Sequence, residues 1–212
     1  MATDTWTNLD PERRLRIERA AAAEFASCGF TAASLNVIAS EAKIAKGSLF
    51  QYFENKLDLW ATITGDAVLE TLAEIAQGVP AEPRGFPRLT AYALEWVRYL
   101  RREPITRQLA AATIDEIDAE ARNAMRDVTN RLYRETIAAM VREVCLEEGI
   151  SDADDIDDLA TQFVLLLRFL ASAPFVPDRD PILGLCTRPW DEIERCTQRL
   201  VLALQRAYSS GR

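Results

Sequence analysis

The chain has 212 residues, a formal net charge of -8, 49% hydrophobic residues and 27% charged residues, a composition typical of globular proteins rather than disordered or fibrous ones. It contains no histidine, so histidine-based nucleophile pairs and most transition-metal sites are excluded, and we expect no enzyme, metal or cofactor. Without a basic, apolar secretory start or an apolar run long enough to cross a bilayer, we expect a cytoplasmic protein that does not bind membranes.

The negative charge belongs to the larger C-terminal part of the chain. Residues 11–60 carry seven basic and six acidic side chains, whereas residues 61–212 carry 18 basic and 25 acidic ones. A nucleic-acid surface, which must be positive, is therefore plausible only near the N-terminus. The four cysteines follow no metal or redox spacing, and we interpret them as buried free thiols: Cys28, Cys145, Cys186 and Cys196.

Every patterned segment repeats at the helical period, which predicts an all-α protein. Asp10-Pro11 favours the start of a first helix, and Gly29 favours its end. Ser34 can cap a short second helix. A third is predicted from about Ala45 to about Phe53, and Asn55 can cap a long fourth helix. The residues expected on the buried faces of the first three are Ile17, Ala21, Phe25, Cys28, Leu35, Ile38, Ala39, Ala42, Leu49 and Phe53.

The remaining two thirds of the chain alternates helices with two irregular connections. Glycine and proline predict loops at 78–87 and 174–189, the second with a short helix around Ile182 to Cys186. Five carboxylates between Asp152 and Asp158 suit the positive end of a helix better than a cation loop, which is the minority interpretation. Further helices are predicted at about 88–102, 104–114, 117–148, 159–170 and 189–208, the 117–148 helix being long enough to be broken.

Two short helices joined by a tight turn are the parts of a helix-turn-helix. In this interpretation Ser34–Glu41 supports Ala45–Phe53, which enters the major groove. Lysine, glutamine, serine and tyrosine can bond to bases or phosphates, and glycine lets a backbone approach closely. The residues predicted to face outward are Lys46, Gly47, Ser48, Gln51 and Tyr52.

Lys56 lies in the first turn of the predicted fourth helix, where a cation is poorly placed beside the positive end of the helix dipole. Together with the free backbone N–H groups it would form a phosphate clamp. Solvated surface lysines are the alternative interpretation for Lys46 and Lys56, and the spacing alone does not choose between the two.

Residues 13–60 resemble the DNA-binding domain of the TetR/AcrR family of transcriptional regulators. The resemblance rests on five short motifs followed by Leu59: Ala22-Ala-Glu-Phe25, Gly29-Phe30-Thr31, Ser34-Leu-Asn-Val-Ile-Ala39, Lys46-Gly-Ser-Leu-Phe50 and Tyr52-Phe-Glu-Asn-Lys56. The rest of the chain resembles the family only as an acidic, all-helical body.

The resemblance implies a helix-turn-helix domain at 10–55 and an effector-binding and dimerisation domain at 56–212. It also implies a homodimer, formed through about 155–173 and 189–208, that represses transcription from a roughly palindromic operator. Its two recognition helices would lie about one turn of DNA, roughly 34 Å, apart. A small molecule entering the second domain would release the DNA.

Carried over by position, the resemblance assigns Asn36 and Lys46 to bases, and Ser48, Tyr52 and Lys56 to phosphates. Three positions depart from the family. Lys43 replaces a common glycine in the turn, although it can gain a phosphate contact, and Ala45 replaces a serine or threonine cap. Each change is expected to cost about 1 kcal/mol. Phe50 replaces a common tyrosine, which removes one hydroxyl.

An apolar or aromatic effector is expected because aromatic side chains can line a pocket between helices. The candidates for binding it are Trp60, Tyr92, Trp96, Tyr133 and Phe163, although packing in the core or the dimer interface is the favoured interpretation of any one of them taken alone. Two other functions stay open. One is a helical partner-binding module with weak or no DNA affinity, and the other is an enzyme using carboxylates near Asp115, Glu116, Asp118 and Glu120, a cluster better interpreted as a solvated helix start.

Overall fold

The computed structural model describes residues 3–80, 82–180 and 182–209, and these residues form α-helices and no β-strand. The predicted all-α fold class is therefore confirmed. The helices pack into two compact units. The first comprises the chain up to Glu70 together with Pro104–Asn130, and the second comprises Thr71–Glu103 together with the chain from Arg131 onward.

The first unit holds the N-terminal helices and two segments from later in the chain. Its buried core joins large side chains such as Phe25, Phe53 and Trp60 to Leu109 and Met125. Because α7 packs along α2, this compact unit extends beyond the predicted 10–55 domain. Its helices are α1 (Asp4–Thr7), α2 (Pro11–Ala32), α3 (Leu35–Glu41), α4 (Lys46–Tyr52), the start of α5 (Lys56–Gly78), α7 (Pro104–Asp115) and the start of α8 (Ala119–Glu135).

The ends of these helices follow the predicted chemistry with two exceptions. Asp10 accepts a hydrogen bond from the Arg13 N–H (2.9 Å) at the start of α2, and Asn55 accepts one from the Asp58 N–H (2.9 Å) at the start of α5. Ser34 occupies the N-cap position of α3, but its side chain makes no capping bond. Gly29 adopts φ 70° and kinks α2 rather than ending it, because the chain resumes a helical turn to Ala32.

The second unit is built on α6 (Phe86–Arg102), α9 (Ile137–Glu148), α10 (Ala153–Ser172) and α11 (Trp190–Ser209), with a 3-10 turn at Leu185–Thr187. Asp152 accepts hydrogen bonds from the N–H groups of Asp154 (2.9 Å) and Asp155 (3.2 Å). The acidic run is therefore the start of a helix, as predicted. The core of this unit draws on all four helices and includes Leu89, Trp96, Leu100, Val144, Leu159, Phe163, Leu167, Ile193 and Val201.

Several details correct the sequence-based picture. The predicted helix at 117–148 divides into α8 and α9 at Thr136, whose φ of -107° lies outside the usual helical range. Only Cys145 of the four cysteines is buried, and Cys28 is exposed because the kink at Gly29 ends the buried stripe of α2 one turn earlier. The predicted loops contain Ala81 and Pro181, which lie outside the described residues. No described helix is both long and apolar enough to cross a membrane.

Candidate DNA-binding site

The turn between α3 and α4 ends α3 with a left-handed residue. Ile44 N–H donates to the Ala39 carbonyl and Lys43 N–H donates to the Ser40 carbonyl, both at 3.0 Å. This pair of bonds is the Schellman arrangement, which requires a left-handed residue and usually takes glycine there. Here Lys43 fills the position with φ 55°. The backbone conformation considered for Lys43 from the sequence is thus the one it adopts.

Buried apolar side chains show which side of each short helix faces the core. Ile38 and Ala39 of α3 are buried, and so are Leu49 of α4 and Phe53 beyond its end. The opposite face of α4 is exposed at Lys46, Gly47, Phe50 and Gln51, while Ser48 is half-buried at its edge. Asn36, in the first turn of α3, and Lys43 are exposed as well.

Gly47 is in the first turn of α4 and has an ordinary helical backbone. A β-carbon built there would meet no atom of the described residues within 4 Å. Neither a positive φ nor a close neighbour within the chain therefore requires glycine, although glycine costs roughly 0.5–1 kcal/mol relative to alanine inside a helix.

Tyr52 corrects the prediction that it points outward. Its side chain is only 3% exposed, and its ring packs against Trp6 and Phe53 with the Arg13 guanidinium 5.9 Å from its centre. The helical period explains the error, since a residue three positions after buried Leu49 lies on nearly the same face. A phosphate contact from the Tyr52 hydroxyl stays a prediction.

The Lys56 side chain extends from the start of α5, where a cation is unfavourable, to the C-terminal end of α2. Its Nζ donates to the carbonyls of Thr31 (3.1 Å) and Ala33 (3.0 Å) and lies 4.7 Å from the centre of the Phe30 ring. The ammonium thus occupies the carbonyl end of α2, where a cation is favoured. Because it has three N–H donors, one remains for the predicted phosphate.

Glu116, which sequence reasoning placed in a solvated cluster, is 7% exposed. Its Oε2 accepts from the Phe30 N–H (2.7 Å), and its Oε1 accepts from the Thr31 hydroxyl and the Asp118 N–H (both 2.9 Å). Burial raises the pKa of Glu116, but these hydrogen bonds outweigh it and leave the pKa below its ordinary value. Glu116 therefore fixes the α7–α8 loop to the kink that precedes α3.

The remaining carboxylates of that cluster have simpler surroundings. Asp118 accepts from the N–H groups of Glu120 (3.0 Å) and Ala121 (2.9 Å), so it caps α8 as a helix-start residue. No pattern in the sequence distinguishes Glu116 from its neighbours, because its partners lie more than 80 positions earlier in the chain.

The residues predicted to bind an effector are divided between the two units. Trp60 is fully buried in the first unit, where it meets Phe25 edge-on at 5.0 Å and donates from Nε1 to the Ala121 carbonyl (3.3 Å). These contacts are those of a core residue of the first unit. Its contact with an effector stays a prediction.

The other four lie in the second unit. Tyr92 and Trp96 are one turn apart on α6, and the Tyr92 ring is 6.3 Å from that of Phe163 on α10. Burial raises the pKa of Tyr92, and the charge interaction with Tyr133 raises it further. Trp96 is 5% exposed, and no acceptor among the described residues meets its indole N–H.

A search of curated protein sequences gives no match, whereas a family model and solved structures do match. The family described as "Bacterial regulatory proteins, tetR family" matches residues 17–63, which contain α3, α4 and the face described above.

Solved regulators match nearly the whole chain. A transcriptional regulator from Pseudomonas aeruginosa PAO1 shares 18% identity with a TM-score of 0.69, covering 98% of this chain and 96% of that one. A TetR family transcriptional regulator from Chloroflexus aurantiacus shares 20% identity with a TM-score of 0.63, covering 98% of each. The transcriptional regulator FadR from Bacillus subtilis, solved with stearoyl-CoA, shares 13% identity with a TM-score of 0.69, covering 89% of this chain and 97% of that one.

The predicted resemblance is therefore confirmed. The chain has the fold of TetR-type transcriptional regulators, and its residues 17–63 form a helix-turn-helix domain of the TetR family.

Proposed function

We propose that the protein is a cytoplasmic, homodimeric repressor that binds a roughly palindromic operator and releases it when a small apolar effector binds. The observation that carries the DNA-binding part is Gly47. No neighbour among the described residues requires glycine at this position on the exposed face of the predicted recognition helix, and the missing side chain permits a close approach of the α4 backbone to DNA.

The charges around Gly47 support the same assignment. The chain has three lysines, Lys43, Lys46 and Lys56, and all three lie in or beside the helix-turn-helix, although the net charge of the protein is -8. Lys43 and Lys46 are exposed beside Gly47 and Gln51. This face offers donors for phosphates and base edges, while the acidic remainder of the chain would be repelled by the duplex and help to orient it.

The experiment is selection of DNA from a random library by the purified full chain, followed by affinity measurements against salt concentration. We expect a palindromic site. Gly47→Ala should bind it more weakly while stabilising the free protein by roughly 0.5–1 kcal/mol. Selection of no sequence would refute the repressor and favour the partner-binding module, for which the left-handed Lys43 and the uncapped Ala45 are the supporting observations.

Charge variants refine this measurement. Lys46→Ala should make the slope of log affinity against log salt shallower by about 0.9 per lost phosphate contact, hence by about twice that in a symmetric dimer. Arg142→Ala removes the same charge from an exposed position on α9 and should leave the slope unchanged. Equal slopes for both variants would remove Lys46 from the interface.

The proposed dimer uses α10 and α11, within about 155–173 and 189–208. Both helices are amphipathic and bury one side in the second unit, yet Leu165 remains 59% exposed and Leu202 remains 40% exposed. Exposed leucines of this kind favour burial against a second copy. Leu165→Glu should shift the mass in analytical ultracentrifugation towards the monomer, and an unchanged dimer would refute this surface.

The proposed effector is apolar and carries a hydrogen-bond acceptor. Tyr92 lies one turn from Trp96 on α6 and its ring is 6.3 Å from that of Phe163, and we assign Tyr133 to the same pocket. The buried indole N–H of Trp96 is a donor without an acceptor in the described structure. A thermal-shift screen of apolar compounds, with stearoyl-CoA among them because FadR binds it, tests this part. A ligand at 100 times its dissociation constant should raise the free energy of unfolding by about 2.7 kcal/mol. Trp96→Phe should reduce the resulting shift in melting temperature.

A further inference from the structure

Helix α1 is too short to be stable alone and owes its position to contacts with the rest of the first unit. Thr3 caps it by accepting a long hydrogen bond from the Trp6 N–H (3.4 Å), and Asp4 lies in its first turn. Trp6 is 3% exposed although its helix has only four residues. The segment from Thr3 to Leu9 is therefore attached to something specific.

Its attachment point is the C-terminal end of α4. The Thr3 N–H donates to the Tyr52 carbonyl (3.0 Å), and the Thr3 hydroxyl donates to the Gln51 carbonyl (2.9 Å). Carbonyls in the last turn of a helix have no partner within the helix itself. Thr3 thus satisfies two of them, and α4 has only seven residues to hold its shape.

Trp6 adds an apolar clamp beside these hydrogen bonds. Its ring centre is 4.6 Å from that of Phe53 and 6.0 Å from that of Tyr52, and the Arg14 guanidinium lies 5.1 Å from it on α2. Tyr52 is buried between α1 and α2 as a result. The Trp6 ring therefore ties the end of α4 to α2 through side-chain packing.

We infer that Thr3 and Trp6 are positioning residues for DNA recognition, and that the segment 3–9 is a brace that sets the orientation of α4. The inference rests on the proposed DNA-binding function. Gln51 shows the connection directly, since its carbonyl accepts a hydrogen bond from Thr3 while its exposed side chain is one of those predicted to face the DNA. Loosening the brace lets the last turn of α4 fray, and only the fraction with an ordered α4 binds the operator.

The test compares Thr3→Val, Trp6→Ala and Trp6→Phe with Thr5→Val, which makes the same chemical change at an exposed position of α1. Hydrogen exchange of the free full-length protein is measured by mass spectrometry, and affinity is measured for the selected operator. We expect faster exchange confined to α4 and α1 in Thr3→Val and Trp6→Ala. We expect about tenfold weaker operator binding for Trp6→Ala, near wild-type behaviour for Thr5→Val, and recovery of most of the loss in Trp6→Phe.

The outcomes separate this inference from the proposed function. If the wild type selects an operator and both Thr3→Val and Trp6→Ala bind it as tightly as Thr5→Val, the brace is refuted and the repressor stands. If the wild type selects no DNA, the repressor fails, whereas unchanged exchange in α4 refutes the brace independently. Should Trp6→Ala not fold, Thr3→Val alone decides, because it removes one hydroxyl and keeps the ring packing.

Discussion

Replacing Glu116 by glutamine is expected to destabilise the folded chain by about 2 kcal/mol at neutral pH. The carboxylate accepts three hydrogen bonds, from the Phe30 N–H, the Thr31 hydroxyl and the Asp118 N–H. Glutamine can keep its oxygen at the Oε1 position for two of these donors. Its NH2 group then faces the Phe30 N–H, so one charge-assisted hydrogen bond, typically worth about 1.5–3 kcal/mol, is lost. The other two hydrogen bonds are weakened because their acceptor is no longer charged.

The pH dependence of this difference identifies the carboxylate as its cause. The folded-state pKa of Glu116 lies below its ordinary value of 4.5, so its contribution is complete above that value and is lost as the pH falls through the lower folded pKa. Protonated Glu116 resembles glutamine as a neutral group. The difference in unfolding free energy between wild type and Glu116→Gln should therefore shrink towards zero in acid.

Urea unfolding at one fixed protein concentration, followed by circular dichroism at pH 7 and at steps towards pH 3.5, measures this difference. Glu120→Gln, at an exposed position in the first turn of α8, is the matched control and should change stability by less than about 0.5 kcal/mol. A Glu116→Gln effect no larger than that of the control, or one that persists unchanged into acid, would refute the reasoning.

Three further outcomes are expected. Lys43→Gly should raise the free energy of unfolding by about 1 kcal/mol, because glycine adopts the left-handed backbone without strain. The melting temperature should rise by about 2–4 °C while operator binding weakens, and a lower melting temperature would contradict this. Ala45→Ser should raise the free energy of unfolding by about 1 kcal/mol, because the serine hydroxyl can cap α4, and chemical unfolding measures this change. In amine acylation followed by mass spectrometry, operator DNA should slow modification of Lys43 and Lys46, whereas Lys56 should react slowly even without DNA, because carbonyls hold its Nζ.

Features set by neighbouring residues could be predicted from the sequence. Helical periodicity and local capping located the helices, and Asp10, Asn55 and Asp152 accept the backbone N–H groups expected of them. The helix-turn-helix could also be predicted, because its short motifs follow one another along the chain; the TetR family model matches residues 17–63. The exposure of Lys46, Gly47 and Gln51 also follows from the period of α4, once buried Leu49 and Phe53 fix its inner side.

Contacts between distant parts of the chain could not be predicted in this way. Trp6, from a segment with no marked pattern, covers the inward-facing Tyr52, and Glu116 is buried where the Phe30 N–H and the Thr31 hydroxyl, next to the kink at Gly29, donate to it. By itself the sequence determined most of the helices, the TetR-type motifs within residues 17–63 and the exposure of Lys46, Gly47 and Gln51, since each depends on residues within a few turns. Only the tertiary structure decided what holds that face in place, because hydrogen bonds and ring contacts from Thr3, Trp6, Lys56 and Glu116 arise where the folded chain brings distant residues together.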